Sequence, residues 1–581
     1  MWSSVTERLI REANETPIAD AHRNIVEQRM LEVEEELRAL KICRNTLVPV
    51  NKLPVEILTR IFEALAKSLA DNLDWIWFPT YKVLSWISVT HVCRHWRAIA
   101  IDDATLWTDI PIVPDKPLRH VPVMLERSQN SPLYIRIHWY SDSTHLIDAL
   151  DIVHSQSHRI KYLHLTGYMD SLLLSKFSGI GPELQSFIQH DSDGFLASEN
   201  SEFSKDLFHS GAPLLKQLEI AGVVLNTWTD LPLGPGLVHL HLDPHSHTRR
   251  PLAQDLLHSL GLMPLLQTLS LTNFLPTDFE STSNITVCPA LKSLSIQDSA
   301  TSITNFLRVV QLPQLHEAVY ALFGDLSEPS NTALERLLTA HPGPIIENRR
   351  QKQGVREIGI YPIPGLHLVE RDFQTLHTHT LQFDFTFDMT EKDTPSLTVK
   401  LPHHTRIGEY LRTFMGHMDF SRLLCLRVDT NQLSRDEWMC FCQLEFLSKI
   451  VTSWKPLLDL MSVMGETPGN ISSQDGGLQE SLPFPALTEI ECKEVAYHPY
   501  KASTDTNTQN VRNLISILNA RPESGRIATL RVRYRPVFTK THYDLVRTHV
   551  PDLQVVWVEE AELFPLEELF VEESEDGSDY M

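Results

Sequence analysis

Nineteen residues, "VTHVCRHWRAIAIDDATLW" at 89–107, bring His91, Cys93, His95, Trp96 and Trp107 close together in the chain. A thiolate beside an imidazole can act as nucleophile and base, and Cys with His can ligate zinc. The spacing argues against both. Val89, Val92, Cys93, Trp96, Ile99 and Ala100 recur at helical intervals, which puts Cys93 and Trp96 on an apolar stripe and His91 and His95 off it. Residues two apart in a regular helix point to nearly opposite sides, so Cys93 and His95 cannot share a metal there. The expectation is a packed helical cluster whose core holds Val92, Cys93, Trp96, Ile99, Leu106 and Trp107.

Other segments carry less. "HLHLDPHSH" (239–247) sets His239 and His241 on one face of a strand, where outward repeat positions are the plainer reading than a metal site. Cys440-x-Cys442 has no second pair to complete a zinc site. Gly-rich phosphate loops, GxSxG and HExxH do not occur, and 22 Gly in 581 residues leave little for a backbone cradle. The expectation is no catalytic residue, no metal and no cofactor, hence not an enzyme.

Seventy-four acids against 51 Lys plus Arg give −23, which disfavours nucleic acid or an anionic membrane surface as the main partner. Ten of those acids lie in 559–581, which has no base and reads as an acidic, disordered tail. Seven scattered cysteines fit a reducing compartment. The first residues lack the apolar region of a secretory signal, and no apolar run is long enough to span a bilayer. A cytoplasmic or nuclear location, or both, is expected.

The elements that position the cluster come next. Residues 18–47 read as one amphipathic helix within an N-terminal segment 1–47, with Val26, Met30, Val33, Leu37 and Leu40 forming a seam. A short coiled coil fits this seam. With fewer than three clean heptads, a helix packed on its own protein is the favoured reading. In "VPVNKLPVEILTRIFEALAKSLA", Pro54 suits a first helical turn, and Val55, Leu58, Ile61, Phe62 and Leu65 follow at helical spacing. The run "LPVEILTRIF", then "VTHVCRHWRAIA", then "LW" after an acidic turn resembles an F-box. The likeness covers roughly residues 50–110, within a domain drawn at 48–112. The preceding helix resembles the large F-box set of mushroom-forming fungi. The stretch between Leu65 and Leu84 is longer than in a minimal F-box. The resemblance implies that Leu53, Pro54, Ile57, Leu58, Ile61 and Phe62 meet a Skp-type adaptor of a cullin ligase.

From 113 to 558 one pattern returns: apolar-x-x-apolar-x-apolar. Copies begin at Ile160, Leu215, Leu237, Leu266, Leu291, Val355, Leu423, Leu487 and Ile527, with weaker ones at Leu184, Leu315 and Thr378. Starts at 215, 237, 266 and 291 are 22, 29 and 25 residues apart, the period of leucine-rich repeats. Helical stretches such as 251–261, 302–313 and 511–520 lie between copies. An ordinary α/β domain with leucine-rich strands is the lesser alternative. Breaks are expected near 341–354 and 390–420, a flexible insertion at 461–485, and a smaller loop at 500–510.

The fold class is therefore α/β: an N-terminal helix and helical F-box, then an irregular leucine-rich-repeat solenoid with a parallel sheet. The function implied is a substrate receptor of a cullin–RING ubiquitin ligase, with the repeats holding an unknown target protein. The alternatives are a non-catalytic interaction scaffold without ubiquitin transfer and, more remotely, an enzyme with a site in 341–485.

Overall fold

The computed structural model describes residues 4–12, 19–72, 84–113, 118–139, 150–167, 177, 181–191, 203, 208, 211–225, 227–245, 248–279, 285–323, 330–341, 355–363, 380–387, 395–402, 407–430, 433, 435–465, 482–493, 504–533 and 538–558. The chain separates into two compact units, 1–193 with 204–215, and 194–203 with 216–581.

The first unit begins with helices α1 (Ser4–Glu12) and α2 (Ala19–Thr46), a 3-10 turn at Pro49–Lys52, and α3 (Val55–Asn72). Pro54 sits just ahead of α3, where a missing N–H costs nothing, and its carbonyl accepts the Ile57 and Leu58 amides. Next come α4 (Val89–Val92) and α5 (Arg94–Asp102). The single helix expected here is broken at Cys93, whose backbone is extended (φ −158°, ψ 169°). Cys93 Sγ accepts the Trp96 amide at 3.5 Å, so the thiol caps α5.

A 3-10 turn, Ala104–Trp107, leads through Thr108 alone into β1 (Asp109–Ile112). Helix α6 (His120–Arg127) then precedes β2 (Leu133–Trp139), β3 (Ile160–Gly167) and β4 (Ser186–His190), and all four strands are parallel neighbours in chain order. Buried Arg159 pins the turn after α6 by donating to the Leu125 and Ser131 carbonyls and the Ser128 hydroxyl. The N-terminal helices and these first strands thus share one unit.

The second unit carries β5 (Gln217–Ala221), β6 (His239–Asp243), β7 (Thr268–Thr272), a side pair β8 (Thr286–Val287) with β10 (Val310–Gln311), β9 (Ser293–Ser299) and β11 (Glu317–Phe323). Strands β5, β6, β7, β9 and β11 run parallel in that order. Leu218, Leu240, Leu269 and Leu294 stand opposite one another in register, all buried, as the repeated pattern requires. In the first unit Leu163 on β3 stands opposite Phe187 on β4.

Chain order then reverses locally. Strands β12 (Val355–Ile363), β13 (Thr380–Phe387) and β14 (Ser396–Pro402) follow, but it is β14 that pairs with β11, while β12 pairs onward with β15 (Cys425–Val428). Strand β13 lies between them, antiparallel to both. Only eight residues separate β13 from β14, too few for the crossover a parallel step needs. The break expected near 390–420 is therefore a reversed three-strand insertion across which pairing continues. Most of the other expected break, 341–354, lies outside the described residues.

Parallel pairing resumes through β15, β16 (Lys449–Thr452), β17 (Glu489–Cys492), β18 (Thr529–Arg533) and β19 (Gln554–Val558). Helices α7 (Ala253–Gly261), α8 (Ala300–Val309), α9 (Ser330–Ala340), α10 (Ile407–His417), α11 (Arg435–Met439), α12 (Trp454–Met464), α13 (Thr504–Ala520) and α14 (Lys540–His549) connect strands, and from α8 onward each packs on the next. The fold is α/β, with a helical N-terminal region followed by a large, mostly parallel sheet.

Both expected loops overlap regular helix at their described ends, while 466–481 and 500–503 lie outside the described residues. Met461–Met464 complete α12, where Met461, Val463 and Met464 are buried, and residues 504–510 open α13. The tail at 559–581 lies outside the described residues.

Candidate protein-docking site

Helix α3 buries one edge and shows another. Leu58 and Phe62, four residues apart, are buried, whereas Leu53, Val55, Ile57, Ile61 and Leu65 are 36–49% exposed and Pro54 is exposed. The six residues expected to face a partner therefore divide. Leu53, Pro54, Ile57 and Ile61 form an open apolar row. Leu58 and Phe62, each one position further round the helix, are buried and anchor it from below, so in this structure they are not part of the open row.

What they anchor to is the aromatic cluster. Phe62 lies 5.1 Å from the Trp96 ring, centroid to centroid. Trp96 is half-buried, and its indole N–H donates to Asn51 Oδ1 at 2.6 Å, while Asn51 Nδ2 donates to the Asn45 carbonyl at 2.7 Å. Trp96 thereby ties α5 to the turn before α3 and to the end of α2. Trp107 is buried, donates its indole N–H to the Ala100 carbonyl at 2.7 Å, and meets Trp86 edge-on at 5.0 Å. Ile99 and Leu106 are buried as expected, and Cys93 is half-buried at its cap position.

Val92 departs from the expected core. It is 58% exposed, because the break at Cys93 turns α4 away from the stripe that a continuous helix would have made. Val89 and Thr90 take the buried side instead. Val92 thus adds to the exposed apolar surface of the helical region.

The cluster extends past Trp107. Arg127, in the last turn of α6, lies 4.3 Å above the Trp107 ring. The Thr108 carbonyl accepts the Tyr134 amide, and Arg136 grips Asp109 through two hydrogen bonds of 2.9 and 2.7 Å. Asn51, Trp86 and Arg127 were not singled out in the sequence. Asn51 sits beside the LPVEIL run, but nothing in its spacing signals an indole partner 45 residues on.

The candidate chemical groups are placed as follows. His91 and His95 are exposed. His239 and His241 lie on β6 in alternating register, and His239 Nδ1 is 2.8 Å from the Thr268 hydroxyl. Cys440 is half-buried and Cys442 buried. Burial pushes the Cys425 and Cys288 thiols up to about 11, which keeps them protonated near neutral pH. Among the described residues no group of three or more His, Cys, Asp or Glu is placed to hold a metal, and no helix is long and apolar enough to cross a membrane.

The outward positions of the later strands form a charged ladder. Arg427 meets Glu357 at 3.4 Å, Lys449 meets Glu489 and Glu491 at 2.9 and 3.1 Å, and Arg531 meets Glu489 at 2.7 Å. Strands β7 and β9 present shorter polar side chains there, Thr268, Ser270, Ser293 and Ser295, whereas β5 and β6 present Gln217, Glu219, His239 and His241.

Comparison with known families matches residues 50–111 to the F-box-like family. No curated protein matches the chain.

Proposed function

We propose that this chain is the substrate-recognition subunit of a cullin–RING ubiquitin ligase. F-box domains generally bind Skp-type adaptors, and a general role as a ubiquitin-ligase adaptor follows from residues 50–111 being F-box-like. The observation that carries the reading is the open row Leu53, Pro54, Ile57 and Ile61, backed by buried Leu58 and Phe62. Apolar side chains held in water on a rigid helix gain free energy when a partner helix covers them.

In this reading the sheet of the second unit is a leucine-rich-repeat-like solenoid of the fungal F-box kind, and its outward strand face holds the target protein. The mix of short hydroxyl side chains and paired charges suits a polar protein surface. The chain does no bond chemistry. It raises the target's concentration near the transferring enzyme, in the cytoplasm or nucleus.

The test is capture of a recombinant Skp-type adaptor and its cullin by the full chain. Wild type is expected to retain both. Leu53→Ala with Pro54→Ala should abolish capture while melting is nearly unchanged, because both positions are exposed. Wild-type binding by that double variant overturns the assigned surface. Capture of the adaptor without cullin favours the scaffold instead.

A further inference from the structure

Helix α2 runs for 28 residues, and α1 covers only its first part. There Leu9 is buried, its carbonyl lies 3.1 Å from His22 Nε2, and Arg29 Nε donates to the Thr6 hydroxyl at 3.4 Å. Beyond this contact the seam is open. Met30, Val33, Leu37 and Leu40, with Leu47 just past the helix, are 40–69% exposed. Packing of this stretch on the protein's own body, the favoured expectation, is not what the described residues show.

We propose that this face pairs with α2 of a second copy as a short, parallel, in-register coiled coil. The spacing sets Met30 and Leu37 at the a positions and Val33 and Leu40 at d. Arg29 and Glu36 then occupy g, and Glu34 and Lys41 occupy e. In a parallel pair each g residue faces the e residue five places on in the other chain. Arg29 faces Glu34 and Glu36 faces Lys41, opposite charges in both cases and each contact made twice by symmetry. The antiparallel pairing that sets Met30 against Leu40 and Val33 against Leu37 brings Glu34 against Glu34 and Glu36 against Glu36.

Of the four charged residues, Glu36 is well exposed, whereas the Arg29 side chain is only 15% exposed and is held by Glu32 at 2.9 Å and Glu36 at 3.4 Å within its own helix, so Arg29 must exchange Glu36 for the partner's Glu34 on pairing. The next a position is Arg44, where two guanidinium groups would meet across the axis. The apolar stripe therefore ends there, and a pairing this short should be reversible. The inference does not depend on adaptor docking.

Sedimentation of the full chain at micromolar concentrations tests it. Wild type should sediment at twice the 66.4 kDa chain mass. Leu37→Glu with Leu40→Glu should sediment as a monomer with unchanged melting, since both positions are exposed. A monomeric wild type, or a double variant that stays dimeric, overturns the pairing. For orientation, Leu40→Cys is made with exposed Cys43→Ser and compared with Cys43→Ser alone. A parallel pair sets the two introduced thiols side by side across the axis, so mild oxidation should link the chains. A dimer that does not cross-link overturns the parallel register.

Discussion

Trp96 and Trp107 hold the helical region by different means, and their loss should differ accordingly. Trp107 fills buried volume beneath Arg127 and against Trp86, so Trp107→Ala should cost about 3–5 kcal/mol and lower the melting temperature sharply. Trp96→Phe keeps most of the ring contact with Phe62 and loses only the hydrogen bond to Asn51, a cost of about 1 kcal/mol. Cys93→Ser should be near neutral in a thermal melt, because serine is a preferred helix cap and the thiol acts as one here. A separate residue sets acid sensitivity. His341 lies buried 2.7 Å from the Tyr320 hydroxyl, and burial lowers its pKa to about 4. An unfolded histidine titrates near 6.5, so between these values the unfolded chain binds more protons. Stability from this group is complete above about pH 6.5 and falls as the pH drops toward 4. Melting temperatures measured across that window should decline, and His341→Phe should flatten the decline.

At the scale of elements, the sequence was legible wherever three apolar positions marked a strand. Copies starting at Leu215, Leu237, Leu266 and Leu291 became β5, β6, β7 and β9, and even the weak copies at Leu184, Leu315 and Thr378 became β4, β11 and β13. Strand β16 was missed because buried Thr452 stands where the third apolar residue belongs. Strand direction was illegible at β13: the pattern reports which face is buried, not which way the chain runs. The first turns of α13 were missed because "TDTNTQN" has no apolar period, though Asn507 within it is buried. Helix α3 was half legible. Apolar residues at 57, 58, 61 and 62 announce a helix, but their division into an open row and a buried row depends on where Trp96 sits. The inward and outward strand positions give a further prediction. Leu240→Ala or Leu269→Ala should cost about 2–5 kcal/mol in urea unfolding, whereas Ser270→Ala on the other face should stay within about 0.5 kcal/mol.

For the molecule as a whole, the boundary that matters for folding is not the edge of the matched family segment. Residues 50–111 end inside β1, whose partner strand, salt-bridging Arg136 and ring-covering Arg127 all come later in the chain. A fragment stopped at 115 should therefore melt well below one that continues through β4, by circular dichroism of the two pieces. The same joint bears on how such a chain can be altered by recombination. A module that exchanges freely between proteins carries its own complete core and ends in a neutral tether. This one borrows a guanidinium and a strand from its neighbour. A crossover at residue 111 would leave Trp107 without its cover and Asp109 without its counter-ion. The smallest transplantable piece reaches at least to the end of β2, so the N-terminal helices and the first two strands are constrained to change together at this seam.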